Sequence, residues 1–316
     1  MPSRSLLPGT LVVASLFICS SAFAQQPPEG QSPATTATPP AAAATDPAAP
    51  QPSSPELRKE LDQTLVNLGT TLPLKKWGSY FRITHRFSRD LRRDGSSFGQ
   101  LAEDLFGLDN GAIIGLEYRI GLPGRTQAGI YRSILGKTIE VFGRWDGWQQ
   151  PDGHALSLST TLSVEGQNNL RVDQQPGISA TVSRVQGPFA FYATPTFIWD
   201  AHTPTLQALH EGHEHGGGEE DPDTADDHLD QDNTAYIGLG VRAHIRPSVA
   251  LVFEISPRIH GYTPDTALWS AGIEKLTHGH VLQLNFSNSF GTSPGMVARG
   301  GSDHDVYMGF NLSRKW

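Results

Sequence analysis

Along most of this chain apolar side chains recur at every second residue, and no other feature constrains its fold as much. Ile114, Leu116, Tyr118 and Ile120 alternate with Gly115, Glu117 and Arg119. Ile237, Leu239, Val241, Ala243 and Ile245 alternate with Gly238, Gly240, Arg242 and His244, and Val306, Met308, Phe310 and Leu312 with Tyr307, Gly309 and Asn311. A side-chain period of two belongs to strands, because successive residues of a strand point to opposite faces. Twelve such runs fall at roughly 77–87, 111–121, 126–135, 137–148, 154–166, 175–185, 188–200, 234–245, 248–259, 266–275, 279–290 and 304–315. Most have about the ~9–11 residues with which a tilted strand crosses a bilayer.

The connections separate a membrane barrel from a secreted β-sandwich. After even-numbered runs they are short: Leu122–Arg125, Gln149–Gly153, Gln186–Gly187, Arg246–Pro247 and Lys275–Gly279. The long ones, Ser88–Asn110, Ala201–Asn233 and Gly291–Asp303, follow odd-numbered runs, with Gly136 a short exception. Short turns on one side and long loops on the other are the pattern of outer-membrane barrels. Trp77, Trp145, Trp148, Trp199 and Trp269 lie near the run ends, where interfacial girdles sit. A last run ending on the aromatic Trp316 resembles the signal read by the barrel-insertion machinery of outer membranes. The expectation is an all-β fold: one closed antiparallel transmembrane barrel of about 12 strands over residues 76–316.

In such a barrel the polar face of each strand turns inward. It carries Arg82, Arg86, Glu117, Arg119, Glu140, Arg144, Arg242, Glu254, Arg258 and Glu274 as candidate lumen residues. Both signs are present. Two pictures follow: charges paired across a packed interior, or charges lining a water-filled pore.

Upstream of the barrel the chain reads as an address and a tether. Arg4, an apolar run from Leu6 to Ile18 and Ala22-Phe23-Ala24 make residues 1–24 a secretory leader. Cys19, the only cysteine, falls inside it, so no disulfide or cysteine-ligated metal is expected. Residues 25–54 are mostly Pro, Ala, Thr, Gln and Ser, which cannot offset the entropy of folding and read as a disordered linker. Leu57, Leu61, Leu65 and Leu68 share one face of a helix, so residues 55–69 are expected as a short amphipathic helix that packs on the barrel or meets a partner.

One loop is chemically distinct. Residues 201–233 hold ten Asp or Glu, no Lys or Arg, and His210, His213, His215 and His228. Those ten carboxylates outweigh the formal net charge of −8, so the rest of the chain is slightly basic. Imidazole and carboxylate suit divalent metals, and this is the only place where weak cation binding is expected. Gly216-Gly217-Gly218 makes a preformed site less natural than a solvated loop. No resident cofactor is expected, and an acidic chain without a basic face is not a nucleic-acid binder. A hydrolase would need a nucleophile and base together. His280 and Ser287 supply residue types, but alternation puts them on opposite faces, so no enzyme is expected.

Several stretches carry a resemblance. They are Thr84-His85-Arg86-Phe87, Asp104-Leu105-Phe106-Gly107-Leu108-Asp109-Asn110-Gly111, Gly129-Ile130-Tyr131-Arg132-Ser133, Lys137-Thr138, Gly279-His280-Val281-Leu282-Gln283-Leu284 and Gly309-Phe310-Asn311-Leu312-Ser313-Arg314. From about Trp77 to Trp316 the chain resembles a bacterial family of outer-membrane β-barrels whose function is unknown, domain-of-unknown-function family 5777. The resemblance implies the barrel and supplies no substrate or site residue. Three readings of function remain open. One is a channel or binder for small polar solutes or metal ions, with outer-membrane lipid around it. The second is a plugged interaction barrel that presents its loops or N-terminal helix to a partner. The third, a membrane-embedded hydrolase, has least support.

Overall fold

The computed structural model describes residues 60–92, 99, 108, 111–201, 232–261 and 266–316. The expected leader, linker and start of the expected helix lie outside these residues, as does 202–231 with His210, His213, His215 and His228.

Twelve antiparallel strands form one closed sheet. They are β1 (Ser79–Asp90), β2 (Ala112–Leu122), β3 (Thr126–Ser133), β4 (Ile139–Asp146), β5 (Ser157–Gly166) and β6 (Val172–Gln186). Then come β7 (Phe189–Ala201), β8 (Asp232–Arg246), β9 (Val249–Ser256), β10 (Leu268–Thr277), β11 (His280–Ser287) and β12 (Tyr307–Lys315). No strand bound differs from the expected runs by more than three residues. Pro257 interrupts β9, because proline has no N–H for the ladder, and Arg258–His260 then resumes pairing with β8. Each strand pairs with the next, and β12 returns to β1 through Phe81↔Arg314 and Ile83↔Leu312. A sheet without edges pairs every backbone group internally, which a lipid environment demands.

Alternation sets the two faces. Leu162, Phe191, Leu251, Leu282 and Val141 stand exposed on the outside, while Arg82, Glu117, Arg242 and Glu254 are buried inside. The proximal end of the barrel is defined here as the one where β1 begins. Trp77, Trp145, Trp148 and Trp316 ring it, and Trp199 and Trp269 sit toward the distal end.

The interior is filled from both ends. Residues 60–69 are not the expected helix. They form a reverse hairpin inside the barrel, with Thr64 bridged to Gly69, the Leu65 amide donating to Leu68 and the Thr70 amide to Gln63. A helix would spend its N–H and C=O groups on itself. Here those groups bond side chains of strands far along the sequence, and Leu61 packs apart from Leu65 and Leu68, against Ala250 and Val281. Leu65 and Leu68 lie against Gly240 and Gly238 of β8, where an added Cβ would come within 2.2 and 2.6 Å of them. From the distal end, the β11–β12 connection folds inward. Its short helix Pro294–Ala298 buries Gly295, Met296, Val297 and Ala298. Val297 and Ala298 join one apolar cluster with Leu65, Val66, Leu68, Ile198 and Tyr236.

Candidate functional site: a polar chamber inside the barrel

The parity that sends Leu and Val outward sends charge inward. Of the ten candidate lumen residues, Arg82, Arg86, Glu117, Arg119, Glu140, Arg144, Arg242, Glu254 and Glu274 are buried inside the barrel. Arg258 is half-buried beyond the Pro257 break, where β9 nears its distal end. Four further buried charges escaped the sequence reading: Asp62, Asp146, Glu165 and Arg299. Asp146 and Glu165 continue the inward parity of Arg144 and Ser163, so the pattern contained them. Asp62 and Arg299 lie on the hairpin and the distal loop, which no strand periodicity marks.

Most of these charges are paired. Arg82 donates to Glu117 at 2.6 Å, and Arg119 Nε donates to the other oxygen of the same carboxylate. Arg144 meets Asp146 at 2.7 Å, and Arg242 pairs with Glu274. Arg299 lies 3.8 Å from Glu165. Glu165 also takes the Ser293 hydroxyl at 2.6 Å and the Gly295 amide at 3.1 Å, which fixes the distal loop in place.

The same side chains hold the N-terminal hairpin. Glu254 accepts the backbone amides of Val66, Asn67 and Leu68 at 2.9–3.1 Å, a concave set of N–H groups of the kind that binds anions. Arg242 donates to the Thr64 carbonyl at 2.8 Å, Gln283 to Leu65 at 2.8 Å and Asn311 to Val66 at 3.0 Å. Arg86, which contacts no carboxylate among the described residues, spans Asn67 and Asn311 at 3.0 and 2.9 Å. Nearer the proximal end, Thr71 and Ser183 hydroxyls meet at 2.6 Å and Arg144 reaches the Leu72 carbonyl at 3.2 Å.

Between the hairpin and the distal helix lies a cavity of about 70 Å³. One wall, from β1, β2 and β4, carries Arg82, Glu117, Arg119, Glu140 and Arg144. The adjoining wall, from β5, β6 and β7, is hydroxylic: Thr161, Ser179, Thr181, Thr194 and Thr196. Thr64 and Asn67 lie on the hairpin side, and Thr292 and Pro294 on the distal side. Glu140 is 4% exposed and has no hydrogen bond or ion pair among the described residues.

Other candidates are not brought together. Ser287 is buried at the distal end of β11, bonded to Ser270, while His280 begins the same strand at the proximal end beside Arg314. A base and a nucleophile at opposite ends of one strand cannot share a proton. Among the described residues no group of three His, Cys, Asp or Glu is placed to hold a metal ion.

A family described as a membrane bound beta barrel domain (DUF5777) matches residues 62–316, so the match takes in the lumenal hairpin as well as the strands. No match is found among curated proteins. Solved structures with similarity include the NanC porin, at 10% identity over 74% of this chain and 97% of that one, with a TM-score of 0.42. Outer membrane phospholipase A from Escherichia coli aligns at 11% identity over 75% of this chain and 89% of that one, with a TM-score of 0.38. The outer membrane channel DcaP of Acinetobacter baumannii aligns at 11% identity over 75% and 71%, with a TM-score of 0.31.

Proposed function

Because the chain belongs to this family of membrane-bound β-barrel domains, we propose that it is an outer-membrane barrel that admits small polar solutes when its own N-terminal hairpin leaves the lumen. Closed barrels with an apolar outer face and a polar interior are built for outer membranes. The leader expected at residues 1–24 would send the chain there.

The observation that carries this reading is the chemistry of the grip on the hairpin. Among the described residues, thirteen Arg, Asp and Glu side chains are buried in the barrel. Filling the lumen for stability alone would favour apolar residues, since buried ion pairs barely offset their own desolvation. A polar grip has a different merit. When the hairpin moves, water can take over each hydrogen bond, and the exposed wall is already suited to water. Twelve strands enclose a space between that of filled eight-stranded barrels and open sixteen-stranded porins. A passage of solute size opens when the hairpin leaves and the distal loop, which packs Val297 and Ala298 on Leu65, Val66 and Leu68, gives way with it.

Planar-bilayer conductance tests this. The full chain is expected to be mostly silent. Gly240→Leu, whose side chain takes the space of Leu65, is expected to conduct. Thr71→Cys with Ser183→Cys, joined by oxidation where the two hydroxyls now touch, is expected to stay closed until a reductant is added. A Gly240→Leu barrel that folds, as judged by heat-modifiable gel mobility, yet remains silent would remove the gating role of the hairpin.

A further inference from the structure

We propose that the chamber binds a small zwitterion of the α-amino-acid type, its ammonium on Glu140 and its carboxylate on Arg119. This deepens the reading of the lumen as a solute compartment and rests on it. The two side chains line the same cavity, on β4 and β2. Gly129 of β3 lies between the two strands, and its missing side chain makes room for the Phe142 ring, on which the Arg119 guanidinium stacks at 5.0 Å with the Tyr80 ring at 5.4 Å. Those rings and the bond from Nε to Glu117 fix the guanidinium. Its two terminal nitrogens have no hydrogen bond among the described residues. Glu140 is equally without a partner, and the two do not pair with each other.

The surrounding charges are already used. Arg82 holds Glu117, and Arg144 holds Asp146. What faces the cavity is therefore one free carboxylate and one half-free guanidinium. A buried carboxylate without a donor is costly, and so is a buried guanidinium without acceptors. A lone cation would satisfy the first and leave the second; a lone anion would do the reverse. A molecule with both poles satisfies the pair and leaves the balanced wall balanced. The hydroxyls of Thr181 and Thr194, which line the same cavity, can take the remaining ammonium hydrogens. About 70 Å³ admits roughly five water-sized groups at ~15 Å³ each, the number of heavy atoms in glycine.

The test is retention of radiolabelled glycine by the full chain refolded from urea into detergent in its presence, which lets the ligand in whatever the hairpin does. About one glycine per barrel is expected. Methylamine and acetate, each with a single pole, are expected to compete at least 10-fold more weakly than unlabelled glycine. Glu140→Gln, which has no ion pair to lose and so should fold, is expected to weaken retention by roughly 10-fold or more, the scale of one charge-assisted hydrogen bond. Absent retention overturns the proposal, as do equal competition by one-pole probes and unchanged binding by a folded Glu140→Gln barrel. Conductance by Gly240→Leu without glycine retention would keep the passage and remove this ligand. Retention with a silent Gly240→Leu barrel would do the opposite.

Discussion

Glu254 is the residue on which the closed state turns. Its carboxylate faces three consecutive amides of the hairpin tip, and no positively charged side chain donates to it among the described residues. Hydrogen bonds to a charged acceptor contribute ~1.5–3 kcal/mol each when geometry is good. Glu254→Gln keeps the shape and removes the charge, so it should lower the cost of hairpin release by about 2 kcal/mol, or roughly 30-fold in population. Thiol labelling can read this. A cysteine placed at Thr71 is buried while the hairpin is seated and exposed when it leaves. The only native cysteine, Cys19, falls in the expected leader. Labelling at Thr71→Cys should quicken by about that factor in the Glu254→Gln background. An unchanged rate would mean that the anion-binding amides do not hold the hairpin in place.

At the scale of elements, the strands were legible and the two lumenal segments were not. A strand announces itself within ten residues, because its period depends only on which side chain faces lipid. The hairpin announces nothing locally. Leu61, Leu65 and Leu68 repeat at a helical interval, yet what shapes the segment is Glu254, Arg242, Gln283 and Asn311, all more than 170 residues away. Inward charges on strands were readable by parity, and Asp146 and Glu165 could have been added by extending it. That Glu140 has no partner among the described residues while Glu117 has two is a matter of rotamers and register, which one sequence does not carry. The distal loop yields its own prediction. Glu165 bonds Ser293 and Gly295 and faces Arg299, which is 8% exposed. Removing one partner of a buried charge pair costs ~3–5 kcal/mol in well-formed cases, and less is expected at 3.8 Å. Glu165→Ala should therefore loosen the loop and expose Arg299 to trypsin. Cleavage after Arg299 should appear in the folded variant and be absent from the parent; equal resistance in both would show that the apolar contacts of Val297 and Ala298 hold the loop without Glu165.

For the molecule as a whole, the outer face decides which solvent the barrel was built for. Leu162 is 61% exposed midway along β5, and its neighbour Thr161 faces the chamber. Large apolar side chains exposed on ten of the twelve strands would be an aggregation hazard in water. In a bilayer they are the surface that matches the hydrocarbon, and the tryptophans near both strand ends mark its limits. The two solvents predict opposite effects for one substitution. In water, Leu162→Arg would remove an exposed apolar group and leave stability nearly unchanged. In lipid, an arginine at mid-depth costs ~2–4 kcal/mol, falling to ~0–1 near the interface. Urea titration of refolding into lipid vesicles should show that loss for Leu162→Arg and little loss for Trp316→Arg, which sits at the rim. Equal, small effects at both positions would mean that the β5 wall does not meet hydrocarbon. The graded result would place the middle of the β5 wall in hydrocarbon and the Trp316 rim at its boundary.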